Sequence, residues 1–280
     1  MLPRLRVVLR ICTISAAFAY AFPVTPTHAV SGGDNALGDK RVVALIVRQN
    51  PRMPRCSAVV IKPKVVATAA HCVAAENGVA DALEFLPTEL AVSRPGVSIY
   101  TDALGTRARV VQVIIPPGYT NSWNPAIGDM ASQQNDIAFI ILDREISSQS
   151  FPIASIKEIA QLKAAQKPIT HLGYGLQSAD TIDGSPYLLR LSANITGASR
   201  YGVNHQASEV NTLSTRDTAA ESLCAGDSGG PWFATIKGVE KLVAISSGGG
   251  GCLDTPSGAS GILGTAISPY LKLLAKITKQ

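Results

Sequence analysis

The chain has 280 residues, 46% of them hydrophobic and only 5% aromatic, with 25 Lys and Arg against 20 Asp and Glu. That length and apolar fraction suffice for one large core or two small ones. Arg4, Arg6 and Arg10 all precede Val30, in a stretch with no acidic group, so the remainder carries a charge of only +2, which leaves no basic surplus for binding nucleic acid.

Everything before Val30 has the layout of a secretory signal. The three arginines precede an apolar run, Ile11 to Phe22, which is too short to span a bilayer. A polar stretch follows, with small residues at Thr27 and Ala29. Residues 1–29 are therefore expected to be removed on export, giving a secreted or periplasmic protein that begins at Val30. No later stretch reads as a membrane span. Four cysteines remain after the leader: Cys56, Cys72, Cys224 and Cys252. An even number in an exported chain predicts two disulfides, with three pairings open. No CxxC pair is present, so no metal site is expected.

In chain order, short Val- and Ile-rich runs predict strands at Val42–Val47, Ala58–Ile61, Lys64–Thr68, Arg107–Ile115 and Ile137–Leu142. A second set follows at Ile169–Leu172, Tyr187–Ile195, Pro231–Thr235, Leu242–Ser246 and Gly261–Ala266. Ala69–Ala75 reads as one short helical turn. Ser155–Ala165 has helical spacing and lies between the two strand sets. Ser268–Thr278 opens Ser-Pro and places Leu271, Leu274 and Ile277 on one face, predicting a C-terminal helix packed on the second half. The pattern is that of an all-β protein, a barrel or a sandwich.

Two segments carry chemistry: Thr68-Ala-Ala-His-Cys72 and Cys224-Ala-Gly-Asp-Ser-Gly-Gly-Pro231. A serine hydroxyl is a poor nucleophile until a base within hydrogen-bond reach takes its proton, and the base needs a carboxylate to orient it. His71, Asp136 and Ser228 supply the three groups, Asp136 standing in Asn135-Asp-Ile-Ala-Phe139. The Gly226–Gly230 stretch also fits the G-x-S-x-G elbow of another hydrolase class, which needs its histidine after the serine. All four histidines (His28, His71, His171, His205) precede Ser228, which excludes that arrangement.

The two segments, with the order His, Asp, Ser, resemble the chymotrypsin/trypsin-like serine protease family. Val30-Ser-Gly-Gly-Asp-Asn-Ala36 is similar to the family's mature N-terminus, Gly173-Tyr-Gly175 to its Gly-Trp-Gly strand, and Ser246 to Gly248 to its Ser-Trp-Gly edge. The resemblance implies an all-β fold of two antiparallel β-barrels with the active site in the cleft between them, plus a C-terminal helix. Residues 30–150 would form the N-terminal barrel and 151–280 the C-terminal barrel and helix, together one peptidase domain. It further implies a catalytic triad of His71, Asp136 and Ser228, and an oxyanion hole from the backbone N–H groups of Gly226 and Ser228. It implies disulfides Cys56–Cys72 and Cys224–Cys252, and an ion pair between the freed amino group of Val30 and Asp227. The specificity pocket would have Ser222 at its base and Ser246 and Gly248 at its walls, and so be uncharged. No cofactor is implied, the partner is a protein or peptide substrate, and a monomer is expected. The alternative is a catalytically silent relative that binds partners through the same fold.

Two departures stand out. Ser247 replaces the family's usual Trp beside the pocket, predicting a more open wall. His71 and Asp136 lie farther apart along the chain than in compact relatives, with the surplus expected in Ala91–Thr106 or Gly118–Gln134 as a surface loop.

Overall fold

The computed structural model describes residues 33–47, 50–74, 89–99, 108–124, 129–147, 151–176, 187–196, 212–216, 223–249 and 261–278. The expected signal peptide, Val30, Ser222 and Cys252 lie outside the described residues. Strand β1 (Asp34–Asn35) is followed by β2 (Val42–Val47), β3 (Asn50–Lys62), β4 (Val65–Thr68), β5 (Leu90–Val92) and β6 (Ala108–Ile114). A hairpin of β7 (Thr120–Asn124) and β8 (Asp129–Gln134) precedes β9 (Ala138–Leu142). Helix α1 (Ile156–Ala164) leads to β10 (Pro168–Gly173), β11 (Leu189–Thr196), β12 (Thr212–Arg216), β13 (Pro231–Ile236), β14 (Val239–Gly249) and β15 (Gly261–Ala266). A 3-10 turn at Ser268–Tyr270 runs into helix α2 (Leu271–Ile277).

Six strands close the first barrel in the order β2-β3-β4-β9-β6-β5. The second sheet runs β1-β11-β10-β13-β14-β15-β12, and β12 pairs back onto β11 through Ile195↔Thr215 and Thr196↔Ser214, so six of its seven strands form a ring of pairings. β1 is the seventh. Although it lies at the start of the segment expected to build the first barrel, Asp34 and Asn35 pair with Arg190 and Leu189 of the second sheet.

The unbroken apolar run of β2 follows from burial on both faces. Val43 and Leu45 enter the first barrel's core with Val60, Val66 and Ile140. Val42, Ala44 and Ile46 join a cluster that includes Leu172, Phe233, Leu242 and Ile245 of the second sheet. That shared cluster locks the halves together, since each fully buried aliphatic or aromatic side chain contributes about 1.5–3 kcal/mol. β3 begins well before its predicted start at Ala58. Pro51 and Pro54 break the apolar pattern there, and register shifts at Leu45/Ile46 and Ile46/Val47 absorb the irregularity.

The two helices refine the sequence reading. Ser155 caps α1 in a capping box, its hydroxyl accepting from Glu158 N–H while the Glu158 carboxylate accepts from Ser155 N–H. At the C-terminus, Ser268 sits inside the 3-10 turn rather than capping it. The buried face is Tyr270, Leu274 and Ile277, whereas Leu271 is exposed. This face joins the shared cluster with Val59, Ile137 and Phe139 of the first barrel, so the C-terminal helix is not confined to the second half as expected. No helix among the described residues is long and apolar enough to cross a membrane.

Candidate active site

His71 lies on a 3-10 turn, Ala70–Cys72, directly after β4. Asp136 lies just before β9. Asn135 makes the bend, with φ +51°, a conformation Asn adopts more readily than most residues. Its side chain is clamped from both sides: Nδ2 donates to Gly118 O at 2.8 Å, and Oδ1 accepts from Tyr270 Oη at 2.6 Å. The bend turns the Asp136 carboxylate out of the strand and beneath the histidine.

Asp136 is fully buried. Its Oδ1 accepts the backbone N–H of His71 at 2.9 Å, and its Oδ2 faces His71 Nδ1 at 2.7 Å. A carboxylate on Nδ1 holds the ring proton there and leaves Nε2 as the basic nitrogen. The side chain remains one-fifth exposed. Ser247 Oγ donates to Asp136 Oδ2 at 2.7 Å. Burial and the nearby Asp136 charge push the Tyr270 phenol up to about 12, so it stays neutral as a donor. His171 is also buried, edge-on to Trp232, and burial pushes its pKa down to about 3, which removes it as a base at neutral pH.

Ser228 stands on the loop between Cys224 and β13. Its carbonyl accepts the N–H of Ser57 at 2.9 Å, which pins the loop to β3 of the first barrel. Cys72 Sγ lies 3.8 Å from this carbonyl and 3.8 Å from His71 Nε2, so the Ser228 backbone and the His71 ring share one neighbour. Among the described residues, no backbone carbonyl accepts from the N–H of Gly226 or Ser228.

Asp227 is almost fully buried. Gly175 N–H donates to its Oδ1 at 2.8 Å and Cys224 N–H to its Oδ2 at 2.9 Å. A Cβ added at Gly173 would run into Oδ1, and one at Gly175 would run into Oδ2 and Cγ. The Gly-Tyr-Gly segment therefore has its glycines because the carboxylate occupies the space of both missing side chains. Val30, the expected partner of Asp227, lies outside the described residues.

Cys56 and Cys72 form a disulfide. Cys224 is also disulfide-bonded, and Cys252, its expected partner, lies outside the described residues. Cys56, His71 and Cys72 approach one another closely enough for metal ligands, but the disulfide ties up both sulfurs.

Around the expected pocket, Ser222 is outside the described residues and Gly248 sits half-buried where β14 shifts register against β15. The Ser246 hydroxyl accepts from Trp232 Nε1 at 2.8 Å, and its backbone pairs with Gly229 and Gly230. Ser247, expected beside the pocket, has its hydroxyl under the histidine, on Asp136. This contact was missed because adjacent residues on a strand face opposite ways and the register of two consecutive serines decides which meets the carboxylate. The expected surface loop at Gly118–Gln134 contains the β7–β8 hairpin.

The family model described as Trypsin matches residues 30–262. No curated protein matches the chain.

Proposed function

Since the chain belongs to the trypsin family of serine proteases, we propose that it is a secreted serine endopeptidase with His71, Asp136 and Ser228 as its catalytic triad. The observation that carries this reading is the grip on His71: a fully buried carboxylate holds both its backbone N–H and its Nδ1, leaving Nε2 for the proton of Ser228.

In this mechanism Ser228 Oγ attacks the scissile carbonyl as His71 Nε2 takes its proton. The tetrahedral oxyanion is met by the N–H groups of Gly226 and Ser228. His71 then returns the proton to the leaving amine, giving an acyl-enzyme that water hydrolyses by the same steps. Asp136 keeps the tautomer and stabilises the imidazolium. No cofactor takes part. Two hydrogen bonds on the buried Asp227 support a role in ordering this loop, completed by the amino group of Val30 once residues 1–29 are removed. The start of the family match at Val30 supports that boundary, and the disulfide supports an oxidising compartment. We assign the second disulfide to Cys224–Cys252. The peptidase domain, residues 30–280, acts as a monomer on protein or peptide substrates, with 30–150 and 151–280 as its two halves. An uncharged pocket around Ser222 and Gly248 selects apolar or aromatic side chains at the cleaved bond.

The test is digestion of a mixed peptide library by the exported protein, with Ser228→Ala as control. Cleavage after apolar residues, absent in the variant, is the expected result. Selection for Arg or Lys would remove the neutral pocket, and no cleavage at all would favour a silent, partner-binding relative.

A further inference from the structure

Ser57, directly after Cys56 in β3, is fully buried where the two halves meet. Its backbone N–H donates to Ser228 O at 2.9 Å, and its carbonyl accepts Thr68 Oγ1 at 2.8 Å. Its hydroxyl accepts the N–H of Tyr174 at 2.9 Å and donates to the carbonyl of Gly226 at 2.9 Å. One small side chain thus joins the first barrel, the Gly-Tyr-Gly segment and the loop that bears Ser228.

The consequence follows from peptide geometry. In a planar trans peptide the N–H and C=O point in opposite directions, so a carbonyl's partner fixes where the N–H of the same unit aims. The N–H of Gly226 belongs to the Ala225–Gly226 unit, whose carbonyl accepts Leu176 N–H at 2.8 Å. The N–H of Ser228 belongs to the Asp227–Ser228 unit, whose carbonyl accepts Gly230 N–H at 2.9 Å. Between these lies the Gly226–Asp227 unit, held by the Ser57 hydroxyl, and after them the Ser228–Gly229 unit, held by Ser57 N–H. Three of the four carbonyls are held by backbone amides; for Gly226 the donor is a side chain. Gly226 is a glycine at φ +95° with no Cβ to oppose rotation, and the other end of the Gly226–Asp227 unit is held by Asp227 N–H donating to Cys224 O at 3.0 Å.

We propose that Ser57 is a positioning residue of the oxyanion site, its hydroxyl fixing the Gly226–Asp227 peptide, which joins the two peptides that carry the N–H groups of Gly226 and Ser228, and so setting how those two donors sit relative to each other. The proposal rests on the reading of Ser228 as the nucleophile. Ser57 does not touch substrate. It acts through the Gly226–Asp227 peptide, which links two donors aimed at charge that develops only in the transition state.

Ser57→Ala strips the hydroxyl from both Gly226 O and Tyr174 N–H, two groups at a buried junction. Loss of a whole oxyanion donor costs roughly 100- to 1000-fold in rate, and a misaimed donor less, so kcat per titrated site should fall about 10- to 100-fold with KM nearly unchanged. Affinity for a peptide boronate, whose tetrahedral adduct carries the same charge, should fall in parallel, while binding of an uncharged product peptide should hold. Ser57→Gly leaves room for a water that can bridge the same two groups, and should recover part of the loss.

The experiment measures kcat and KM per fluorophosphonate-titrated site and boronate affinity for wild type, Ser57→Ala and Ser57→Gly. A wild-type kcat per titrated site in Ser57→Ala, with unchanged boronate affinity, would overturn the proposal. So would a loss that appears only as fewer titratable sites, because that is the mark of a folding role. If Ser57→Ala does not fold, Ser57→Gly carries the test: reduced kcat and boronate affinity support the proposal, and wild-type values overturn it. A wild-type protein inert to both reagents would remove the reading of Ser228, and the proposal with it.

Discussion

The two sides of the cleft are held by different means. On the side of His71, side chains do most of the fixing: Asp136 takes the His71 ring and the Ser247 hydroxyl, and Asn135 is clamped by Tyr270. On the side of Ser228, backbone mostly holds backbone, with Leu176, Gly230 and Ser57 amides on the carbonyls of Ala225, Asp227 and Ser228 and two glycines making room for Asp227. A triad side chain performs a chemical step and cannot be exchanged for one of similar shape. A backbone donor can be supplied by almost any residue, provided no side chain blocks it. Damage to the first side should therefore remove chemistry from a folded protein, and damage to the second should disturb geometry and stability together.

The largest effect expected on the first side is that of Asp136→Asn, which keeps the shape but reverses the preferred tautomer of His71. Its kcat should fall by about 10,000-fold with the thermal midpoint little changed. Steady-state kinetics beside a melting curve will show whether the two separate. On the second side, Gly175→Ala drives a Cβ into the carboxylate of Asp227. Overpacking of this kind costs about 1–3 kcal/mol. Unlike Asp136→Asn, this variant should lose stability and activity together, seen in denaturant unfolding and in the rate of fluorophosphonate labelling. A Gly175→Ala protein with wild-type values of both would break the comparison.

The smallest expected effect lies away from the cleft. Hydrogen bonds from Lys241, and from the backbone and hydroxyl of Ser155, pull Glu158 from its ordinary 4.5 down to about 2. A carboxylate with a depressed pKa stabilises the fold fully above its unfolded value and loses that contribution as pH falls through the folded one. Thermal stability should thus decline between pH 4.5 and about 2, and Glu158→Gln should flatten that part of the profile without altering kcat at neutral pH.

The same contrast explains what the sequence disclosed. The groups proposed for the chemistry stand in recognisable surroundings: His71 between small residues and a half-cystine, Ser228 among glycines, Asp136 ahead of an apolar strand. β2 was legible because burial on both faces demands an unbroken apolar run. Ser57 was not, since a lone serine in an apolar strand carries no local signal; its role comes from residues 117 and 169 positions away. Ser247 was misplaced because the register shift of β14 falls beside it, and that shift arises from pairing with β15. The β7–β8 hairpin carries no strand signal because Thr-Asn-Ser-Trp-Asn shows no regular alternation; β5 is too short to form a pattern, and β12, Thr-Leu-Ser-Thr-Arg, has a single apolar residue.

The most direct test is the intact mass of the exported protein before and after a fluorophosphonate probe, with Ser228→Ala alongside. The exported chain should begin at Val30 and gain one adduct, and the variant should gain none. A chain beginning at Val30 that takes no adduct, or an adduct that survives Ser228→Ala, would contradict that expectation.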